Sequence, residues 1–389
     1  MAVAETIFLP FHRASIDEAE IQNVVQVLKN GWLTSGPRVK EFETAFARYI
    51  GSPHAQAVNS CTSALHLALA VSGVAEGDEV LIPTMTFAAT GETVLYLKAR
   101  PVLVDCSPDS FHIDIREMEK SVTSRTRAIV PVHYAGYPCD MDPILELAGC
   151  RGITVIEDAA HAFPASYKGR MIGTVGHLTC FSFYATKTLT TGEGGMITTA
   201  NQEYAERLRI LALHGISRDA WNRYTAQGSW RYDILETGYK YNLTDLQAAL
   251  GLAQLQKAEE LRQRRAAIAA QYSRALASIE AFLPPPEPND GTHAWHLYVI
   301  RTNPAALRIG RDQVIDELKS RGIGSSVHFI PLHLHTLYQR HLGYRTGQFP
   351  RAEQHFEQCI SLPLFPAMSD EDVARVISAL KDISVAFRK

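Results

Sequence analysis

The sequence predicts an α/β chain: a mostly parallel sheet covered by helices on both faces, then a smaller C-terminal α+β domain. Three observations carry this reading. Between about residues 55 and 200, the short runs EVLIP, PVLVD, AIVPVHY, ITVIED, TCFSFY and GGMITT alternate with helical stretches, as in strands joined by crossover helices. A long helical stretch begins near Thr244, a candidate N-cap, and runs through DLQAALGLAQLQKAEELRQRRAAIAAQYSRAL. The proline-rich LPPPEPND, Leu283 to Asp290, then breaks the pattern and sets the expected boundary between a large unit, residues 1–282, and a small one, residues 283–389.

Along the first unit, NSCTSALHLALAVSG sets Ser60, Thr62 and Ser63 at the start of a helix that is apolar almost all round. They read either as an ordinary N-cap or as an anion site built from free N–H groups and hydroxyls. PTMTFAAT offers Phe87, as core or as a flat surface for a planar ligand. TVIEDAAHAFPA ends a buried strand in Glu157 and Asp158, with His161 in the next turn. Asp158 can cap the following helix or hold a proton on a heteroaromatic nitrogen, with His161 beside the same ring.

FSFYATKTLTTGEGGMITT places Lys187 between a strand read from Phe181, Phe183 and Tyr184 and a turn read from Gly192, Gly194 and Gly195. A lysine there is either an ordinary surface cation or a group facing a crevice at the end of the sheet, where ligands of such folds bind. In the second unit AWHLYVIR and GSSVHFI read as strands around a helix at RDQVIDELKSRG. A last helix carries Val373, Val376, Ile377 and Leu380 at amphipathic spacing behind Ser369. His328, His333 and His335 lack an acidic or cysteine partner at a familiar metal spacing, so no metal is expected.

With 389 residues and a formal net charge of −3, the chain has ample core and no basic footprint for nucleic acid. Its 46% hydrophobic and 20% charged residues are ordinary for a globular protein. The start, MAVAETIFLPFHRAS, lacks a signal-peptide pattern and no apolar run is long enough to span a bilayer, so a cytoplasmic protein without membrane contact is expected. The six cysteines form no Cys-x-x-Cys pair and read as small, reduced core residues.

A phosphate cradle, a carboxylate, an aromatic platform and a lysine together describe a site for pyridoxal 5′-phosphate. The ordered motifs GWLTSGP, NSCTSALHLAL, PTMTFAAT, HYAGYPCDMDPI, VIEDAAHAFPA, FSFYATKTLTTGEGGM and YKYNLTDLQAALGLAQL closely resemble those of the DegT/StrS nucleotide-sugar aminotransferases, on the aspartate-aminotransferase-like type I fold. The resemblance implies Lys187 as the Schiff-base lysine, Asp158 on the pyridine nitrogen and His161 on or beside the ring. It implies Thr62, Ser63 and Ser182 at the phosphate, Phe87 against the ring and His328 near the sugar.

It also implies a homodimer in which GYKYNL reaches the partner's cofactor phosphate, through Lys240 or Asn242, and L-glutamate as amino donor to a keto nucleotide-sugar. Many members have asparagine, tyrosine and arginine in that segment, so this is a departure. That variant, with EDAAHA and HAWHLYVIR, is similar to the branch of UDP-4-amino-4-deoxy-L-arabinose aminotransferases. Two alternatives remain on the same scaffold: a sugar dehydratase, in whose branch histidine replaces the lysine, and a non-catalytic cofactor-binding regulator.

Overall fold

The structure, a computed structural model, describes residues 8–217, 231–287 and 290–389. Strands β1 (His54–Val58), β2 (Glu79–Pro83), β3 (Arg100–Val104), β4 (Thr126–Ile129) and β5 (Thr154–Asp158) are followed by two short ones, β6 (Ser166–Tyr167) and β7 (Arg170–Met171). Then come β8 (Leu178–Ser182), β9 (Gly195–Thr199), β10 (Phe282–Leu283), β11 (Gly291–Thr292), β12 (Tyr298–Thr302) and β13 (Cys359–Leu362). The main sheet has seven strands in the order β1-β9-β8-β5-β4-β2-β3. Only β9 runs antiparallel to its neighbours; β8, β5, β4, β2 and β3 pair in parallel. All five parallel strands therefore deliver their carboxyl ends to one edge, where connecting loops can converge on a ligand.

Helices α1 (Glu18–Asn30), α2 (Pro37–Ile50), α3 (Cys61–Val71), α4 (Ala88–Tyr96), α5 (Ile115–Ser121), α6 (Met141–Arg151) and α7 (Gln202–Leu211) belong to the first unit. The apolar all-round character of α3 is explained by its place: nearly every residue from Ser63 to Val71 is buried and it packs on β8, β9 and α4. EVLIP is buried at every position, as a strand covered on both faces requires.

The long helical stretch is two helices, α8 (Asp245–Gln256) and α9 (Ala258–Leu276). Lys257, at φ −105° and ψ 10°, interrupts the helical backbone. Thr244 is the N-cap, accepting a hydrogen bond from the Gln247 N–H at 3.3 Å. Farther on lie α10 (Arg311–Ser320), α11 (Thr336–Leu342), α12 (Pro350–Gln358) and α13 (Asp370–Ala386).

A second core gathers Ile268, Tyr272 and Leu276 of α9 with Tyr298, Ile300, Ile360 and Leu362 of the β10-β12-β13 sheet. Val373, Val376 and Leu380 of α13 close it, with Ile377 partly buried at its margin, and Ser369 caps α13 as expected. Leu9, near the chain's start, packs into this core. After β10 the chain returns to the first unit, where β11 pairs with β6, before entering β12. Two residues of the proline-rich run, 288 and 289, lie outside the described residues.

Three local expectations are corrected. GSSVHFI alternates like a strand, yet only Ser326 pairs, in one bridge with Ser361. The segment touches β13 at that one bridge, and no second pair extends it into a ladder among the described residues. Tyr184 is exposed and β8 already ends at Ser182. Of the six free cysteines Cys150 is exposed, at the end of α6 where the polar last turn meets solvent.

Candidate active site

Sequence motifs far apart meet at the carboxyl edge of the main sheet. Asp158 is the last residue of β5 and 5% exposed. Its Oδ2 accepts a 2.8 Å hydrogen bond from the Thr90 hydroxyl of α4, and Oδ1 accepts from the Ala160 N–H at 3.1 Å. Burial raises its pKa, while these two donors and the nearby Lys187 pull it back down. Among the described residues it makes no direct ion pair, although Lys187 is close enough to act on it electrostatically, so this interior carboxylate keeps hydrogen-bonding capacity for a ligand.

Lys187 lies in the turn after β8, its N–H bonded to the Tyr184 carbonyl at 2.9 Å. Its side chain is half-buried, with Nζ 3.5 Å from His296 Nε2. Burial lowers its pKa to about 8, against the pull of Cys61 and Asp158 in the other direction. A substantial fraction of this lysine is therefore a neutral amine near physiological pH, as a nucleophile or base must be.

His161 is buried and its Nδ1 accepts from the Ala135 N–H at 3.2 Å. The ring proton therefore sits on Nε2. Burial, and then Lys187, hold it well below the usual imidazole range, so it is neutral. Its ring is 4.5 Å from His296 and 5.8 Å from Phe329. Phe87 is not core: it is 59% exposed, at the N-terminus of α4, 5.7 Å from Phe329 across the crevice mouth.

The start of α3 lies beside these groups, with Cys61 acting on both Asp158 and Lys187. Ser60 caps the helix by accepting from the Ser63 N–H at 3.1 Å, and the Ser63 hydroxyl donates to Asn59 Oδ1 at 2.6 Å. Thr62 sits in the same first turn, half-buried. β9 begins hard against this turn: a Cβ on Gly195 would lie 2.6 Å from the Ser60 carbonyl, so a side chain has no room there. Ser182, at the end of β8, accepts weakly from the Tyr184 N–H at 3.4 Å.

Two expected residues come from farther away. Lys240 and Asn242 hydrogen-bond to each other, and their extended segment runs beside Asn59, whose N–H donates to the Tyr241 carbonyl at 2.8 Å. Tyr239 and Tyr241 alternate with them and pack on the buried His66, which leaves Lys240 exposed. His328 stacks on Phe11 at 5.6 Å, and its Nδ1 meets the Ser361 hydroxyl at 2.8 Å. His333 is instead tied to Thr84 and Glu353. Among the described residues no group of three or more His, Cys, Asp or Glu side chains is arranged to hold a metal. None of the described helices is long and apolar enough to cross a membrane.

Thr90, Tyr134, His296 and Phe329 were not singled out from the sequence. All four stand within quoted motifs or the histidine segment, but only the fold shows their partners; the Tyr134 hydroxyl donates to the His328 carbonyl.

The DegT/DnrJ/EryC1/StrS aminotransferase model matches residues 14–381. The chain belongs to this family. It is 51% identical to a Methanocaldococcus jannaschii protein over 376 residues, covering 97% of each chain. It is 48% identical to the spore coat polysaccharide biosynthesis protein SpsC of Bacillus subtilis over 377 residues, again 97% of each. Spr1654 of Streptococcus pneumoniae, solved in its pyridoxamine phosphate form, superposes with a TM-score of 0.92 at 37% identity, covering 97% of this chain and 99% of that one. The same protein has been solved in a pyridoxal phosphate form.

The fold is therefore that of pyridoxal-phosphate-dependent sugar aminotransferases, and the cofactor is pyridoxal 5′-phosphate. The residues present fit it. A buried carboxylate and a half-buried lysine lie close enough to interact, neither in a direct ion pair among the described residues, and the first turn of α3 lies near both through Cys61.

Proposed function

We propose that the chain carries the amino group of L-glutamate to the keto carbon, at position 4, of a nucleotide-linked sugar. It acts as a cytoplasmic homodimer with shared sites, in amino-sugar or polysaccharide biosynthesis. The observation that carries this reading is the meeting of Lys187, its pKa lowered to about 8 by burial, with the buried Asp158 at the carboxyl edge of the sheet. The family's sugar aminotransferases and the name of the Bacillus subtilis relative support a sugar acceptor. The variant segments GYKYNL, EDAAHA and HAWHLYVIR favour the UDP-4-amino-4-deoxy-L-arabinose branch. Because Lys187 is present, the dehydratase alternative is disfavoured.

Bound in the crevice, the cofactor supplies a sink for the electrons released at the substrate carbon. Asp158, oriented by Thr90 and Ala160, keeps a proton on a heteroaromatic nitrogen and so keeps that sink effective. Lys187 anchors the cofactor and, once released, takes the proton from the donor carbon and returns one to the acceptor carbon. Thr62, Ser63 and Ser182 hold the phosphate, with Lys240 or Asn242 supplied by the partner subunit. His161 and Phe87 border the ring, and His328 faces the sugar.

A panel of nucleotide keto-sugars incubated with glutamate tests the whole reading. Amino-sugar should form from at least one 4-keto member with stoichiometric 2-oxoglutarate. Conversion of bound cofactor by glutamate with no sugar accepted would refute the acceptor class. No conversion by glutamate at all would point to the non-catalytic regulator.

A further inference from the structure

We propose that His296 is a positioning residue for the free amine of Lys187. Its imidazole gives Nζ one fixed hydrogen-bond donor and closes the crevice floor against water. The inference rests on Lys187 being the reacting lysine and extends that assignment to a residue with no role so far.

The backbone is built to bring His296 to this spot. Trp295, immediately before it, has φ +48°, a left-handed conformation that a bulky side chain seldom adopts. It is held there from both sides: its ring lies 3.8 Å over His293 at an interplanar angle of 2°, and its N–H donates to His293 Nδ1 at 2.8 Å. Its carbonyl accepts from the buried Arg265 at 3.4 Å. The flanking residues are clasped by the turn beside His161, with Ala294 N–H on the Gly136 carbonyl at 2.9 Å and Leu297 N–H on the Ala135 carbonyl at 3.2 Å. Gly136 must lack a side chain, since a Cβ there would stand 2.8 Å from the His161 carbonyl and 3.3 Å from the His296 nitrogen. Strain kept in place by so many contacts marks a site at which the resulting side-chain position matters.

The hydrogen bonding of His296 points to the neutral amine. The ring is 5% exposed, Nε2 faces Lys187 Nζ at 3.5 Å, and the buried Nδ1 has no hydrogen-bond partner among the described residues. If Lys187 were an ammonium donating to Nε2, the ring proton would sit on Nδ1 as an orphan interior donor. If Lys187 is an amine, Nε2–H donates to its lone pair and Nδ1 is a bare acceptor. Orphan buried donors are the rarer case, so the pocket favours the second arrangement. Charge agrees with it: Lys187 faces His12, Cys61, Asp158, His161 and His328 as well as His296, and His296 also faces Arg265. A second cation on His296 would meet Lys187 and Arg265 together, and burial followed by Lys187 keeps its pKa well below the usual range.

The test is the pH profile of Lys187 acylation, read by mass spectrometry on the full-length chain freed of cofactor and again in its pyridoxamine phosphate form. The wild-type midpoint should lie at about 8. His296→Leu keeps the bulk and removes the donor; its midpoint should rise by about one unit, a tenfold loss of free amine at pH 7. His296→Gln keeps a donor at the position of Nε2 and should stay within about 0.3 unit of wild type. A folded Leu variant with the wild-type midpoint, or a Gln variant shifted as far as Leu, would overturn the proposal. Nitrogen-15 spectra of histidine-labelled wild-type protein at pH 9 give a check independent of any variant: the His296 proton should be on Nε2, and a proton on Nδ1 would overturn it as well. Lys187 can pass or fail these measurements whether or not any sugar is aminated, so failure here is distinct from failure of the functional reading.

Discussion

The floor and the rim of the crevice are built differently. The floor is made by strand ends: Asp158 closes β5 and Ser182 closes β8, with Lys187 in the turn that follows. Its polar groups are fixed by hydrogen bonds within one chain. The rim is open, with Phe87 59% exposed, and Lys240 projects from an extended segment held down by its neighbours. The contrast recurs inside β5 itself. Glu157 is saturated by His133, Thr179 and the Gly176 N–H at 2.9, 2.6 and 2.8 Å, while adjacent Asp158 has two donors and a crevice. Structural carboxylates are satisfied by the chain; the one at the floor keeps capacity for a ligand.

Changes to the floor should accordingly cost far more than changes to the rim. Lys187→Ala removes the base and the anchor, and transamination should fall by at least about 100- to 10,000-fold, with a native circular dichroism spectrum. Lys187→Arg should do no better, since guanidinium stays protonated. Asp158→Asn keeps the hydrogen bond to Thr90 but loses the charge. Stopped-flow measurement of the glutamate half-reaction should show a loss of about 100-fold.

Acidity gives an intermediate effect. With Lys187 at about 8, a lowered lysine pKa means that the amine already exists below the ordinary range. The rate at which cofactor-free protein captures pyridoxal phosphate should therefore rise about tenfold per pH unit below that value and level off above it.

At the rim, a mixture of Lys187→Ala subunits with subunits altered at both Lys240 and Asn242 should regain part of the activity, since one composite site per mixed dimer is intact. Absence of rescue despite subunit exchange would count against shared sites. Phe87→Ala should be mildest, changing stability by no more than about 0.5 kcal/mol in thermal unfolding because the side chain is already largely in solvent.

The floor was legible in the sequence because its residues sit at strand ends, within short motifs whose local pattern fixes the element. Lys187, Asp158 and His161 meet as their motifs imply. His296 was not legible, although HAWHLYVIR was noticed, because its contact with Lys187 spans 109 residues of chain. Thr90 was hidden for the same reason, reaching Asp158 from another helix 68 residues away. Periodicity also misled twice: GSSVHFI alternates but meets β13 at a single bridge, and the helical pattern over residues 245–276 does not reveal the break at Lys257.

The central claim, that Lys187 is the residue that holds and works the cofactor, is tested most directly by reduction. Protein loaded with pyridoxal phosphate, treated with borohydride and digested, should carry the phosphopyridoxyl mass on one peptide, at Lys187, and Lys187→Ala protein should carry none. Label on any other lysine, or undiminished label in the Ala variant, would contradict the account.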